Sequence, residues 1–198
     1  MKYINTYKLF ESKAKRLSYS VEIYDICRKY NISNYTINDD GSIDVSVGVN
    51  LYECGLSELP LRFRNVAGDF HCGSNNLTSL KGCPENVGGK FFCFRNELTS
   101  LEGGPKIVGG ELDIRLNNIS SFEGFPESIG DQLFCNKNPI YNIWMLFQKY
   151  SDIELFNDYD IIRGDTIILD RLNGFLSETG VRTVKSESAS YQLGWKWI

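Results

Sequence analysis

Between residues 49 and 143 the apolar positions repeat every 21 residues on one template. Asn75, Asn96, Asn117 and Asn138 lie 21 apart, and one more step back falls on Cys54. Five residues before these markers stand Val49, Phe70, Phe91, Leu112 and Leu133, and three before them Leu51, Cys72, Cys93, Ile114 and Cys135. Two after them come Leu56, Leu77, Leu98, Ile119 and Ile140; five after them come Leu59, Leu80, Leu101, Phe122 and Ile143. Apolar residues two apart predict a short strand with one buried side. So short a unit cannot bury that side alone, so copies must stack as a parallel sheet of about five rungs, with strands about 4.8 Å apart. The marker amide can donate to and accept from backbone groups turned inward, which Cys54 does only weakly, as suits a terminal rung. The return stretches repeat as Gly82, Pro84, Val87, Gly89, then Gly103, Pro105, Val108, Gly110, then Gly124, Pro126, Ile129, with Asp131 departing from the pattern. Here glycine serves corners and proline fixes φ where so few residues leave no room for a helix.

A stack must cover its terminal rungs, and both flanks carry patterns suited to that. Residues 1–48 form the expected N-terminal cap. Ile4, Tyr7, Phe10, Ala14 and Leu17 fall at helical spacing, and Val21, Ile23, Tyr24, Ile26, Cys27 and Tyr30 predict a second helix after Ser20. The segments NYTI and SIDVSV, joined by the turn NDDG, predict a β-hairpin. In residues 144–198 and just before them, short helices are expected over 143–147, 153–156 and 167–175, with Arg163 and Gly164 between the last two. The tail from Val181 ends in Tyr191, Trp195, Trp197 and Ile198, which predicts a segment folded back onto this cap, or else a partner-binding tail. The expected architecture is one continuous α+β domain, a solenoid over 49–143 between two caps.

A period in this range, with each strand ending in Asn or Cys, marks a leucine-rich repeat. Rungs such as VGGKFFCFRNELTSLEGGP, with the closing IELFNDYDIIRGDTIILDRLNGFL, resemble small leucine-rich-repeat proteins of tailed bacteriophages and some bacteria. The resemblance implies a solenoid that holds another protein, with host proteins, defence factors among them, as the partners. The rungs also resemble those of secreted bacterial effectors that carry a ubiquitin-ligase domain, for which this sequence is expected to hold no counterpart.

Composition adds constraints. With 42% hydrophobic and 23% charged residues among 198, the chain is ordinary for a globular protein, and no apolar run is long enough for a membrane span. The first twenty residues lack the apolar core of a signal peptide, so a cytoplasmic protein is expected. A net charge of −4 argues against nucleic acid as the partner of the whole surface. Asp152, Glu154, Asp158, Asp160, Asp165 and Asp170 face only Arg163, which reads as a solvated acidic face or a lure for a basic partner.

The candidate chemistry is sparse. Cys72, Cys93 and Cys135 share an inward position, Cys54 takes the marker position and Cys27 an apolar helix, so zinc is not expected and only Cys83 is left as a reachable thiol. The turn NDDG fails as a calcium loop, because Gly41 at loop position six puts Val47 where a bidentate Glu is required. His71 and Cys72 point to opposite sides of one strand, which separates a Cys-His pair. Glu111 and Asp113, with Asp69, are the carboxylates an enzyme would use, yet charged outward residues are also normal on a strand. No cofactor is expected, and the reading is a binding protein, not an enzyme.

The outward strand positions carry the functional expectation. They run Asn50, His71, Phe92, Asp113, Phe134 in one column, Tyr52, Gly73, Phe94, Arg115, Asn136 in the next, then Glu53, Ser74, Arg95, Leu116, Lys137. Aromatic and Arg side chains are what protein interfaces favour. Tyr52, His71, Phe92, Phe94, Arg95, Asp113, Arg115 and Phe134 are therefore expected to line a partner-binding strip. The alternatives are aromatics that merely stack across strands, and a face that makes a homo-oligomer or a virion component.

Overall fold

The computed structural model describes residues 20–141, 159, 161–163, 166–180 and 196–197. The predicted segments around Ile4 to Leu17, 143–147 and 153–156 lie outside them.

The chain folds as a β-solenoid. Helix α1 (residues 20–29) buries Ile23 and Cys27, one turn apart, on a single stripe. It stops at Asn31, whose φ of 53° lets Ile32 N–H reach back to Cys27 O at 2.8 Å and Asn31 N–H to Arg28 O at 3.3 Å. Strands β1 (Tyr35–Ile37) and β2 (Ile43–Val45) pair antiparallel. Gly41, at φ 79°, supplies the left-handed step of their turn, and Asp40 accepts from Ser42 N at 3.0 Å and Oγ at 2.6 Å.

From there the chain winds. Strands β3 (Val49–Asn50), β5 (Phe70–His71), β7 (Phe91–Phe92), β9 (Leu112–Asp113) and β11 (Leu133–Phe134) form a five-stranded parallel sheet, each residue opposite the one 21 later. These five strands mark off four complete turns. The return stretches build a second sheet that the sequence reading did not foresee. Strands β4 (Phe63–Val66), β6 (Asn86–Val87), β8 (Ile107–Val108) and β10 (Ser128–Ile129) stack parallel and continue the hairpin into a six-stranded sheet. Twenty-one residues thus hold two strands and two corners. The inward residues of both sheets meet in one core, with Phe70, Phe91, Leu112, Leu77, Leu98 and Ile114 fully buried from one side and Val66, Val87 and Val108 nearly so from the other.

Two columns hold adjacent turns in register. The side chain of each marker Asn is buried and bridges two turns: Asn96 Oδ1 accepts from Leu77 N at 3.0 Å, while its Nδ2 donates to Cys72 O at 3.1 Å and Cys93 O at 3.0 Å. Asn75, Asn117 and Asn138 repeat this pattern. Each reaches back to the preceding turn, so the first rung has nothing to bridge. Cys54 there is exposed, its thiol donating to Tyr52 O at 3.6 Å. The second column is Gly88, Gly109 and Gly130. A Cβ on each would lie 2.2, 2.2 and 2.0 Å from the backbone oxygen of Ala67, Gly88 and Gly109 respectively. Only glycine permits that approach. The repeat Gly89, Gly110, Asp131 is the neighbouring column, which opens along the stack: a Cβ on Gly89 would lie 2.2 Å from Asp69 Oδ1 and 2.9 Å from Asp69 N, whereas on Gly110 nothing would lie nearer than 3.1 Å, and the next step is Asp131.

Outside the core, charge alternates from turn to turn. Arg64, Glu85, Lys106 and Glu127 occupy one column, and Asp69, Lys90 and Glu111 another. Lys106 Nζ lies 3.9 Å from Glu85 and Lys90 Nζ 3.0 Å from Glu111. Opposite charges across neighbouring strands favour this stacking.

In the C-terminal part, β12 (Ile162–Arg163) and β13 (Thr166–Ile167) form a hairpin, and β14 (Lys196–Trp197) adds in parallel to β13. The helix expected over 167–175 is α2 (Leu169–Glu178), displaced because Ile167 is taken by β13; it buries Leu172, Phe175 and Leu176. No described helix is long and apolar enough to cross a membrane.

Candidate functional site

The outward face of the five-stranded sheet brings together Tyr52, His71, Phe92 and Phe94. Tyr52 stacks on His71 at 4.7 Å and 27°, and Phe92 meets His71 edge-on at 5.3 Å. Phe94 closes the group, 6.1 Å from Tyr52 and 5.5 Å from His71. His71 and Phe94 close over Gly73, where a Cβ would sit 3.2 Å from His71 Nε2 and from Phe94 Cε1. Gly73 makes this cluster possible and escaped the strip prediction; its signal was a lone glycine in a column between Tyr52 and Phe94. The rings therefore do stack across strands, while Tyr52 stays 36% exposed and His71, Phe92 and Phe94 half-buried.

His71 pays for its place, since Nε2 is buried there with no hydrogen-bond partner among the described residues. Burial pushes its pKa below the ordinary 6.5, against the opposing pull of Asp113 and Asp69. Below pH 6.5 the unfolded chain then binds more protons than the folded one, so His71's contribution is present above that pH and is lost as pH falls. His71 is the single histidine, so its NMR titration is unambiguous and its midpoint is expected below 6.5. Replacing it with Phe removes a stranded polar atom and is expected to raise stability by about 1 kcal/mol, with flatter melting between pH 5 and 7. A normal midpoint would refute the burial argument.

At the other end of the strip, Asp113 is only 3% exposed and does not present a free carboxylate. It accepts from Arg115 N at 3.1 Å, Nε at 2.9 Å and Nη2 at 2.5 Å, and this pairing raises the Arg115 pKa. The guanidinium also lies 5.3 Å from the ring of half-buried Phe134. Of the three carboxylates considered for catalysis, Glu111 pairs with Lys90, Asp69 Oδ1 accepts from Lys90 N at 2.8 Å, and Asp113 holds Arg115.

The column Glu53, Ser74, Arg95, Leu116, Lys137 is not simply the next outward strand position. All five residues have φ between 53° and 60°, a left-handed corner where the chain turns in toward the marker Asn. Neighbouring turns lock it, as in Arg95 N–H to Arg115 O at 2.8 Å and Ser74 N–H to Phe94 O at 2.9 Å. None of these residue types announces the conformation.

Cys83, expected to be the reachable thiol, is buried. Burial first, then its hydrogen bond with Cys72, pushes its pKa well up, and burial takes Cys135 to about 12. A thiol reagent is therefore expected to titrate one cysteine rapidly in the native protein, Cys54, and all six after unfolding; rapid loss of two would contradict the packing.

A groove of about 500 Å³ runs along the opposite corner over Gly82, Gly103, Gly104 and Gly124. Its cations Arg62, Arg64 and Lys106 already face Asp40, Asp44 and Glu85. No family model, curated protein or solved structure matches this chain.

Proposed function

We propose that the chain is a leucine-rich-repeat binding module that holds a partner protein on the outward face of its five-stranded sheet. The observation that carries this reading is the pre-assembled aromatic cluster around Gly73, flanked by Arg95 and Arg115. Rings fixed by one another lose little freedom on binding, and aromatic and Arg anchors supply most interface energy. The resemblance of the rungs to small bacteriophage proteins supports a host protein, met in the host cytoplasm, as the partner to be sequestered or inhibited. Tyr52→Ala with Phe94→Ala is expected to abolish capture of that partner from host lysate. The melting temperature should fall far less than for a core substitution such as Leu98→Ala. Undiminished capture by the double variant would refute the assignment. A homo-oligomer built on the same face is the second reading, and a monomeric mass in solution would count against it.

A further inference from the structure

Arg95 and Lys137 differ from most cations of the solenoid. Arg62, Arg64, Lys90, Lys106 and Arg115 each hold a carboxylate. Among the described residues, neither Arg95 nor Lys137 has one within ion-pair distance. Both are exposed and stand in the same left-handed column two rungs apart, about 10 Å at ordinary strand spacing, with Leu116, 38% exposed, between them. The backbone beneath Arg95 is fixed by its bond to Arg115 O. Along an extended peptide alternate side chains face one way, so those at i, i+2 and i+4 lie on one face about 7 Å apart, the outer two about 13 Å apart, a span that the long side chains of Arg95 and Lys137 can splay to meet.

Resting on the binding-face reading, we infer that the partner presents an extended acidic segment. Two of its carboxylates meet Arg95 and Lys137, and an apolar side chain between them covers Leu116 and the edge of Phe94. Charge complementarity selects this occupant, because the two cations have no ion-pair partner among the described residues. Single-stranded nucleic acid fits less well. The rings of Tyr52, His71, Phe92 and Phe94 already turn their faces and edges to one another at 4.7 to 6.5 Å, and two uncompensated cations are few for a phosphate chain.

The test is selection of a random displayed peptide library on the full chain. Enriched peptides should carry Asp or Glu on both sides of an aromatic or aliphatic residue and should lose binding to Phe94→Ala. Arg95→Glu with Lys137→Glu should weaken them about tenfold and, in a fresh selection, enrich Lys and Arg instead. The column accepts Glu, since Glu53 occupies it at φ 53° in the first rung. If the reversed protein melts early, Arg95→Gln with Lys137→Gln replaces it, and loss of the salt dependence of binding is the readout. Peptides that need Phe94 but ignore both charge variants overturn the acidic segment and leave the binding face standing. Selection of no peptide that depends on Tyr52 or Phe94 overturns both. Binding of an oligothymidylate that displaces the peptides would overturn the protein segment in favour of nucleic acid.

Discussion

Asn96→Ala is expected to lower unfolding stability by about 3 kcal/mol, while Cys54→Ala, at the same place in the repeat, changes it by less than about 0.5 kcal/mol. The asymmetry follows from where each side chain reaches. Cys72 O and Cys93 O would keep second donors, Asn75 and Asn117, but Leu77 N–H would be left buried without an acceptor. Deletion of the side chain also leaves a gap between two turns. Cys54 has no preceding turn to serve and stands in solvent. Urea unfolding of the two variants decides the matter, and an Asn96→Ala protein as stable as the parent would remove the ladder from the account.

The second large effect concerns two adjacent glycines. Gly109→Ala is expected to cost about 3 kcal/mol, because its Cβ would stand 2.2 Å from Gly88 O, a backbone atom tied into the sheet. Gly110→Ala is expected to cost about 1 kcal/mol, since its Cβ would meet Lys90 Cγ at 3.1 Å and Gly89 C and O at 3.2 and 3.3 Å, contacts that a shift of a few tenths of an ångström relieves. Thermal melting of both variants checks the contrast, and equal losses would mean that the turns have room to slide apart.

Much of the solenoid was legible because each core column imposes one chemical demand and the sequence meets it at a fixed interval. Val49 through Leu133 and Leu51 through Cys135 are apolar at every step, so strand, side and register could be read together. The second sheet was obscured because each return strand offers little more than one inward residue, such as Val87 or Val108, which is too short a run to show a two-residue period. Proline at 84, 105 and 126 also read as punctuation when it stands just before a strand. The glycine column was displaced by one position, since Gly88 and Gly89 look alike in sequence and differ only in what lies against them. At the candidate site the aromatic columns were visible. The burial of Asp113 was not, because its partner Arg115 lies two residues along the chain, past the end of β9, and pulls the carboxylate down onto the sheet. Nor was the left-handed corner, which Glu, Ser, Arg, Leu and Lys occupy under the constraint of neighbouring turns.

The alternating charges on the outside have a period of two turns, whereas the core beneath them has a period of one. A chain lengthened by a single copy of the repeat would keep its apolar columns intact yet bring like charges side by side at the junction, at up to about 1 kcal/mol for each exposed contact. A chain lengthened by two copies would meet no such mismatch. The interior thus counts rungs singly while the surface counts them in pairs, so growth by an even number of rungs is the route on which both agree.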